Sequence, residues 1–145
     1  MSNYKINIED VKTKITKKKL KLKSLAKAVL TEEGVAQSEI NIIFVDDSYI
    51  IKLNQEFLNK NETTDVISFN LEESDSDFLE GEVYANADQI KRQAEEYEVT
   101  FQNELHRIVI HGVLHLIGYN DHTPLEKKNM TEKENHYLTL FENIT

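Results

Sequence analysis

NELHRIVIHGVLHLIGYNDH, residues 103–122, is the stretch on which the reading of this chain turns. From Asn103 to Ile117 it is apolar on nearly every side after Arg107, the pattern of a helix enclosed by protein rather than one lying on a surface. Gly118 is placed to end that helix in a left-handed cap. Within the apolar run stand His111 and His115, one helical turn apart, so both rings leave the same face and can converge on one ion. A buried imidazole needs partners for its nitrogens, and a metal ion satisfies two such rings at once.

A third ligand is expected beyond Gly118, where the glycine lets the chain double back toward the histidines. Two residues qualify. In the pattern H-E-x-x-H-x-x-G-x-x-H the last ligand stands ten positions after the first. That is Asp121 here, whereas ligand type favours His122 at eleven. The glutamate that serves metalloproteases as general base is replaced by Gly112, which argues against peptidase chemistry. A three-ligand zinc with an open position can still activate water against another substrate. Imidazole suits nickel and copper as well. His106 and His136 fall outside this array and are expected to be structural or exposed.

Outward from the central helix, strand and helix patterns alternate. A short strand is expected at Tyr4–Ile8. KITKKKLKLKSLAKAVLTEEG follows, with Leu22, Leu25, Ala26, Val29 and Leu30 at helical spacing and Gly34 as a stop. SEINIIFVDD reads as a strand, with Asp46, Asp47 or Ser48 capping a helix whose inner positions are Ile50, Ile51, Leu53, Asn54, Phe57 and Leu58. Asn54 in that pattern is expected to hold a loop. TTDVISFNLE and GEVYAN read as a hairpin joined by the acidic loop at 72–77, with Asp65 and Ser68 in packing positions, and ADQIKRQAEEYEV as a helix. Thr123-Pro124-Leu125-Glu126 supplies an N-cap, a proline at N1 and a capping-box glutamate for a last helix facing inward through Met130, Tyr137, Leu138 and Phe141. The expectation is one α+β domain over residues 1–145: a small mixed sheet with helices packed on it and the His-x3-His helix at its centre.

Charge and composition narrow the function classes. The absence of cysteine excludes disulfides and thiolate metal sites, leaving His, Asp and Glu as the strong ligands. No stretch approaches the roughly 20 apolar residues that span a bilayer, so no membrane partner and a cytoplasmic location are expected. The net charge of −9 is uneven: residues 1–27 hold nine lysines against Glu9 and Asp10, an excess of seven, leaving −16 for the rest. Because salt limits each charge's reach to about 8–10 Å, the acidic total does not forbid a nucleic-acid substrate.

With these residues in view, the chain resembles the YbeY endoribonucleases. Their signature, H-G-x-L-H-L-x-G-Y-D-H, is matched by residues 111–122 with one extra residue before the Asp-His pair. FVDDSYIIKLNQEF, TTDVISFN and GEVYAN are similar to further family segments, so the likeness runs from about Ile40 to His122. It implies one zinc ion held by His111, His115 and either Asp121 or His122, the same residues carrying catalysis. The implied function is cleavage of single-stranded RNA in small-subunit (16S) ribosomal RNA maturation and ribosome quality control, with the small subunit and its proteins as partners. Where the family usually has an arginine after its L-N-x-x-Y pattern this chain has Leu58. That departure favours the alternative, a ribosome-assembly factor with a structural zinc and little catalysis.

Overall fold

In the computed structural model, which describes residues 3–11, 13, 19–71 and 78–144, the strand at the middle of the chain explains the layering. β2 (Gln37–Val45) sends Ile40, Ile42 and Phe44 to one face and Ile43 and Val45 to the other, the alternation that a strand's two-residue period imposes. Every one of these side chains is buried, so the sheet is covered on both faces. β1 (Asn3–Asp10) and β4 (Phe78–Asn86) run parallel to β2 on either side of it, and β3 (Val66–Asn70) pairs antiparallel with β4. The order β1-β2-β4-β3 makes a mixed sheet and leaves β3 at an edge. The β3–β4 hairpin agrees with the expected one; the acidic loop and Lys12, Lys14, Lys17 and Lys18 lie outside the described residues.

The larger core lies between the sheet and four helices. α1 (Lys19–Glu32) buries Leu22, Leu25, Ala26, Val29 and Leu30, the five positions its spacing selects, and Gly34 follows in the left-handed region at φ 79°. α4 (Phe101–Ile117) packs against α1, β3, β4, α3 (Ala87–Glu96) and α5 (Pro124–Ile144), which makes it the central helix. Met130, Tyr137, Leu138 and Phe141 of α5 are buried against it. The opposite face of the sheet is covered by α2 (Asp47–Phe57), whose Ile50 and Leu53 meet Ile43, Val45 and Ile67.

Side-chain caps set these boundaries. Asp46, rather than Asp47 or Ser48, is the N-cap of α2 and accepts from the Tyr49 amide at 2.9 Å. Asp47 instead takes a bidentate contact from Arg92, at 2.8 and 2.9 Å, and a hydrogen bond from buried Asn86. The Arg92 contact holds the Asp47 carboxyl far below the usual carboxylate range. Thr123 and Glu126 form the expected reciprocal capping box ahead of α5, at 2.9 and 3.1 Å.

One expectation is overturned. Phe57 and Leu58 sit at helical spacing for the inner face of α2, yet the helix ends at Phe57 and both side chains are exposed. Both stand at the end of the helix, where Phe57 touches the sheet through the edge of Phe69 and is otherwise open to solvent.

Candidate metal centre

α4 meets the sheet at unusually close range, and that approach places the histidines. A Cβ added to Gly112 would lie 2.5 Å from Val83 Cγ1 and 3.3 Å from Val66 Cγ2, so only glycine lets the helix backbone sit this near β3 and β4. Ser68 of β3 donates to the Gly112 carbonyl at 2.9 Å, and Asn70 to the Leu116 carbonyl at 3.0 Å, pinning helix to strand. The position that holds a base in metalloproteases is therefore occupied by packing. His111 and His115 leave the helix beside this seam and open onto a cleft of about 570 Å³ that runs along β3.

Gly118, at φ 123°, ends the helix as expected. Its amide bonds to the Leu114 and His115 carbonyls, and the Tyr119 amide to Leu114, which turns the chain back toward the histidines. The Tyr119 hydroxyl donates to Glu33 at 2.5 Å, anchoring the returning turn to the end of α1.

Asp121 is the residue this turn delivers. Its Oδ2 lies 3.4 Å from His111 Nε2 and 3.6 Å from His115 Nε2, and the two Nε2 atoms are 3.0 Å apart. Among the described residues these three form the cluster able to hold a metal ion. Zinc bonds of 2.0–2.2 Å in tetrahedral geometry put neighbouring ligand atoms about 3.3–3.6 Å apart, so the triangle fits with only a slight opening of the histidine pair. His122 is exposed and lines the same cleft, outside that triangle.

Glu134 of α5, unremarked in the sequence, completes the arrangement. Its buried carboxylate lies 2.7 Å from His111 Nδ1 and also accepts from Arg107 Nη1 at 3.0 Å. A proton shared there belongs on Nδ1, which leaves the Nε2 lone pair directed at the other two ligand atoms, the state a metal ligand requires. Burial, the largest single influence, would lower the His111 pKa, but the hydrogen bond and charge of Glu134 together with the charges of Asp65 and Asp121 raise it overall. Burial, and then the neighbouring His111, lowers that of His115.

The side chains of His111, His115 and Asp121 are 19, 25 and 35 % exposed, so the triangle faces the cleft instead of being sealed from it. Asp65, immediately before β3, lines that cleft and a second hollow of about 290 Å³ that His111, Glu104, Arg107 and Glu134 also line. Asn54, buried beneath the cleft, holds the 58–62 loop as expected, through a 2.7 Å bond from Nδ2 to the Glu62 carbonyl. His106 is buried edge-on to Phe141, and His136 is exposed beside Glu32.

Comparison with known proteins gives the family. The family described as Endoribonuclease YbeY matches residues 4–142. Proteins named "Endoribonuclease YbeY" from Flavobacterium psychrophilum and Chloroherpeton thalassium are 40 % and 42 % identical, over 79 % and 81 % of this chain and 80 % and 82 % of their own lengths. The solution structure of TM1509 from Thermotoga maritima superposes with a TM-score of 0.69 at 33 % identity, covering 94 % of this chain and 88 % of that one. With the family matched across nearly all of its length and relatives this similar, the chain belongs to the endoribonuclease YbeY family.

Proposed function

We propose that the chain is a zinc-dependent endoribonuclease specific for single strands, with His111, His115 and Asp121 holding the ion. The observation that carries this reading is the triangle of ligand atoms at 3.0, 3.4 and 3.6 Å, opening onto a cleft of about 570 Å³ lined by β3. Structural zinc sites close all four positions with protein ligands, whereas three ligands facing solvent leave a place for chemistry. When bound, zinc supplies charge for a developing anion and acidifies water.

The chain's own groups do the rest. Glu134 keeps His111 oriented and its Nε2 free of a proton. Asp65, on the cleft wall beside the cluster and outside the ligand triangle, takes up the proton released as water attacks phosphorus. His122, at the rim, meets the substrate or its leaving group. A flexible single strand of RNA can bend its backbone into such a cleft more readily than a duplex can. The family resemblance supports small-subunit ribosomal RNA as the substrate, in maturation and ribosome quality control in the cytoplasm, with the small subunit as partner. No described helix is long and apolar enough to cross a membrane.

The rival reading, an assembly factor with a structural ion, draws on Leu58, which lines the cleft where the family usually has arginine. Chelation followed by zinc addition separates the two. A catalytic ion gives a stripped protein that keeps its circular dichroism, loses cleavage of single-stranded RNA and regains it with zinc. A structural ion gives a stripped protein that unfolds, and a reloaded one that binds RNA without cutting it.

A further inference from the structure

The cleft has a charge problem. Its described lining contains Glu62, Asp65 and Asp121 but, besides the histidines, Lys60 as its one basic residue. The described lysines of α1 (Lys19, Lys21, Lys23 and Lys27) do not line it. Even with a divalent cation in place the balance is near neutral, so electrostatic attraction does not by itself hold a polyanion here. Binding must draw on another contact.

An apolar surface at the α2 side of the cleft supplies one. Phe57 is 61 % exposed, Leu58 beside it lines the cleft, and both occur where the sequence pattern predicts buried positions. The Phe57 ring meets Phe69 edge-on, centroids 5.4 Å apart and planes at 65°. Phe69 lines the cleft and meets Tyr84 in turn at 5.9 Å, and Tyr84 stacks on Tyr49. The exposed ring is thus braced from below by a ladder of aromatics and loses little freedom when something stacks on it. Just beyond it, Asn59 adopts φ 53° and the Lys60 amide bonds to the Asn54 carbonyl at 3.1 Å, fixing the backbone from which the cleft's lysine projects.

We propose that Phe57, braced on Phe69 with Leu58 alongside, is a stacking shelf for an unpaired base of the substrate strand, and that Lys60 receives an adjoining phosphate. This rests on the RNA-cleaving reading above and adds the source of affinity and of strand preference. An unpaired base offers a free π-face to the ring, whereas a base inside a duplex is already stacked on both sides. Leu58 then belongs to a base-contacting surface, and the cation stands two residues later.

The test is steady-state cleavage of a fluorogenic single-stranded RNA by the zinc-loaded full chain, comparing wild type with Phe57→Leu, Phe57→Ala, Phe57→Trp and Lys60→Gln. Base stacking on a ring contributes about five- to 150-fold in affinity. Phe57→Ala and Phe57→Leu are expected to raise KM within that range with kcat changed less than about twofold, and Phe57→Trp to restore KM. Phe57→Leu keeps an apolar contact on Phe69 without a π-face, so it separates stacking from packing should the alanine variant fold poorly. Lys60→Gln is expected to raise KM and flatten its dependence on log salt by about 0.7. Unchanged KM in the phenylalanine variants, with wild type still cutting, would overturn the shelf and leave the nuclease reading intact. Loss of a protein partner from those variants with RNA kinetics unchanged would overturn it equally. A wild type that neither binds nor cuts single-stranded RNA would remove the nuclease reading, and the shelf with it.

Discussion

His111 Nδ1 lies 2.7 Å from a Glu134 carboxylate oxygen, across 23 residues of sequence and between two helices. The contact fixes which nitrogen of His111 is left for a metal, and removing such a partner typically weakens metal binding about ten- to hundredfold. Glu134→Gln keeps the size of the side chain and an oxygen for Arg107 while losing the charge. Zinc affinity measured by chelator competition is expected to fall by that factor, with the far-ultraviolet circular dichroism unchanged. Equal affinity in the two proteins would mean that Glu134 serves only the Arg107 pair.

Gly112→Ala sets two effects against each other. Alanine favours a helix interior over glycine by about 1 kcal/mol. Its Cβ, however, would stand 2.5 Å from Val83 Cγ1, on a stiff, fully buried β-branched side chain that has little room to move. Overpacking of that kind costs typically about 1–3 kcal/mol. We expect a net loss of stability in urea denaturation, with reduced metal affinity as α4 is pushed from β3. A stabilised variant would show that the seam is slack.

The end of α1 carries an acid-sensitive joint. Glu33 accepts from the hydroxyls of Tyr119 and Tyr137 and from Lys133. Burial works to raise its pKa, but these three donors prevail and hold it below the ordinary 4.5. A carboxyl with a depressed folded-state pKa contributes stability that is present above its unfolded value and is lost as pH falls through the folded one. Urea midpoints of wild type and Glu33→Gln are therefore expected to differ most near neutrality and to converge on acidification below 4.5. A gap that widens toward acid would reverse the sign and contradict the assignment. Asp47, also depressed, remains in both proteins and leaves a common acid sensitivity.

Much of this was legible in the sequence, because it depends on local spacing. The run from Asn103 to Ile117 declares an enclosed helix, the four-residue step brings His111 and His115 together, and Gly118 announces the turn. The five buried positions of α1 and the Thr123–Glu126 box follow from periodicity and capping alone. What stayed hidden depends on contacts between distant segments. Glu134 reaches His111 only because α5 packs on α4, and nothing in EKENHY marks it. Asp121 and His122 were indistinguishable until the turn geometry, anchored by Tyr119 on Glu33, set which side chain faces the pair. Gly112 read as a missing base, whereas its cause is the close approach of Val83 and Val66. Phe57 and Leu58 keep the helical period yet stay exposed at the end of α2, which spacing alone does not reveal.

Asp65→Asn tests the assignment of the proton acceptor. An amide of the same shape keeps the cleft wall but cannot take up a proton, and a positioned general base contributes typically about 10²–10⁴-fold. We expect kcat on single-stranded RNA to fall by that range with zinc content and KM little changed. Loss of zinc along with activity would place Asp65 among the groups that build the metal site.

The central claim is that His111, His115 and Asp121 hold a catalytic zinc. Its most direct test is zinc content by elemental mass spectrometry on wild type, His115→Ala, Asp121→Ala and His122→Ala, with cleavage of single-stranded RNA assayed on the same samples. The account predicts one zinc and RNA cutting in wild type, loss of both in His115→Ala and Asp121→Ala, and retained zinc in His122→Ala. Full zinc in Asp121→Ala, or its loss from His122→Ala alone, would contradict it.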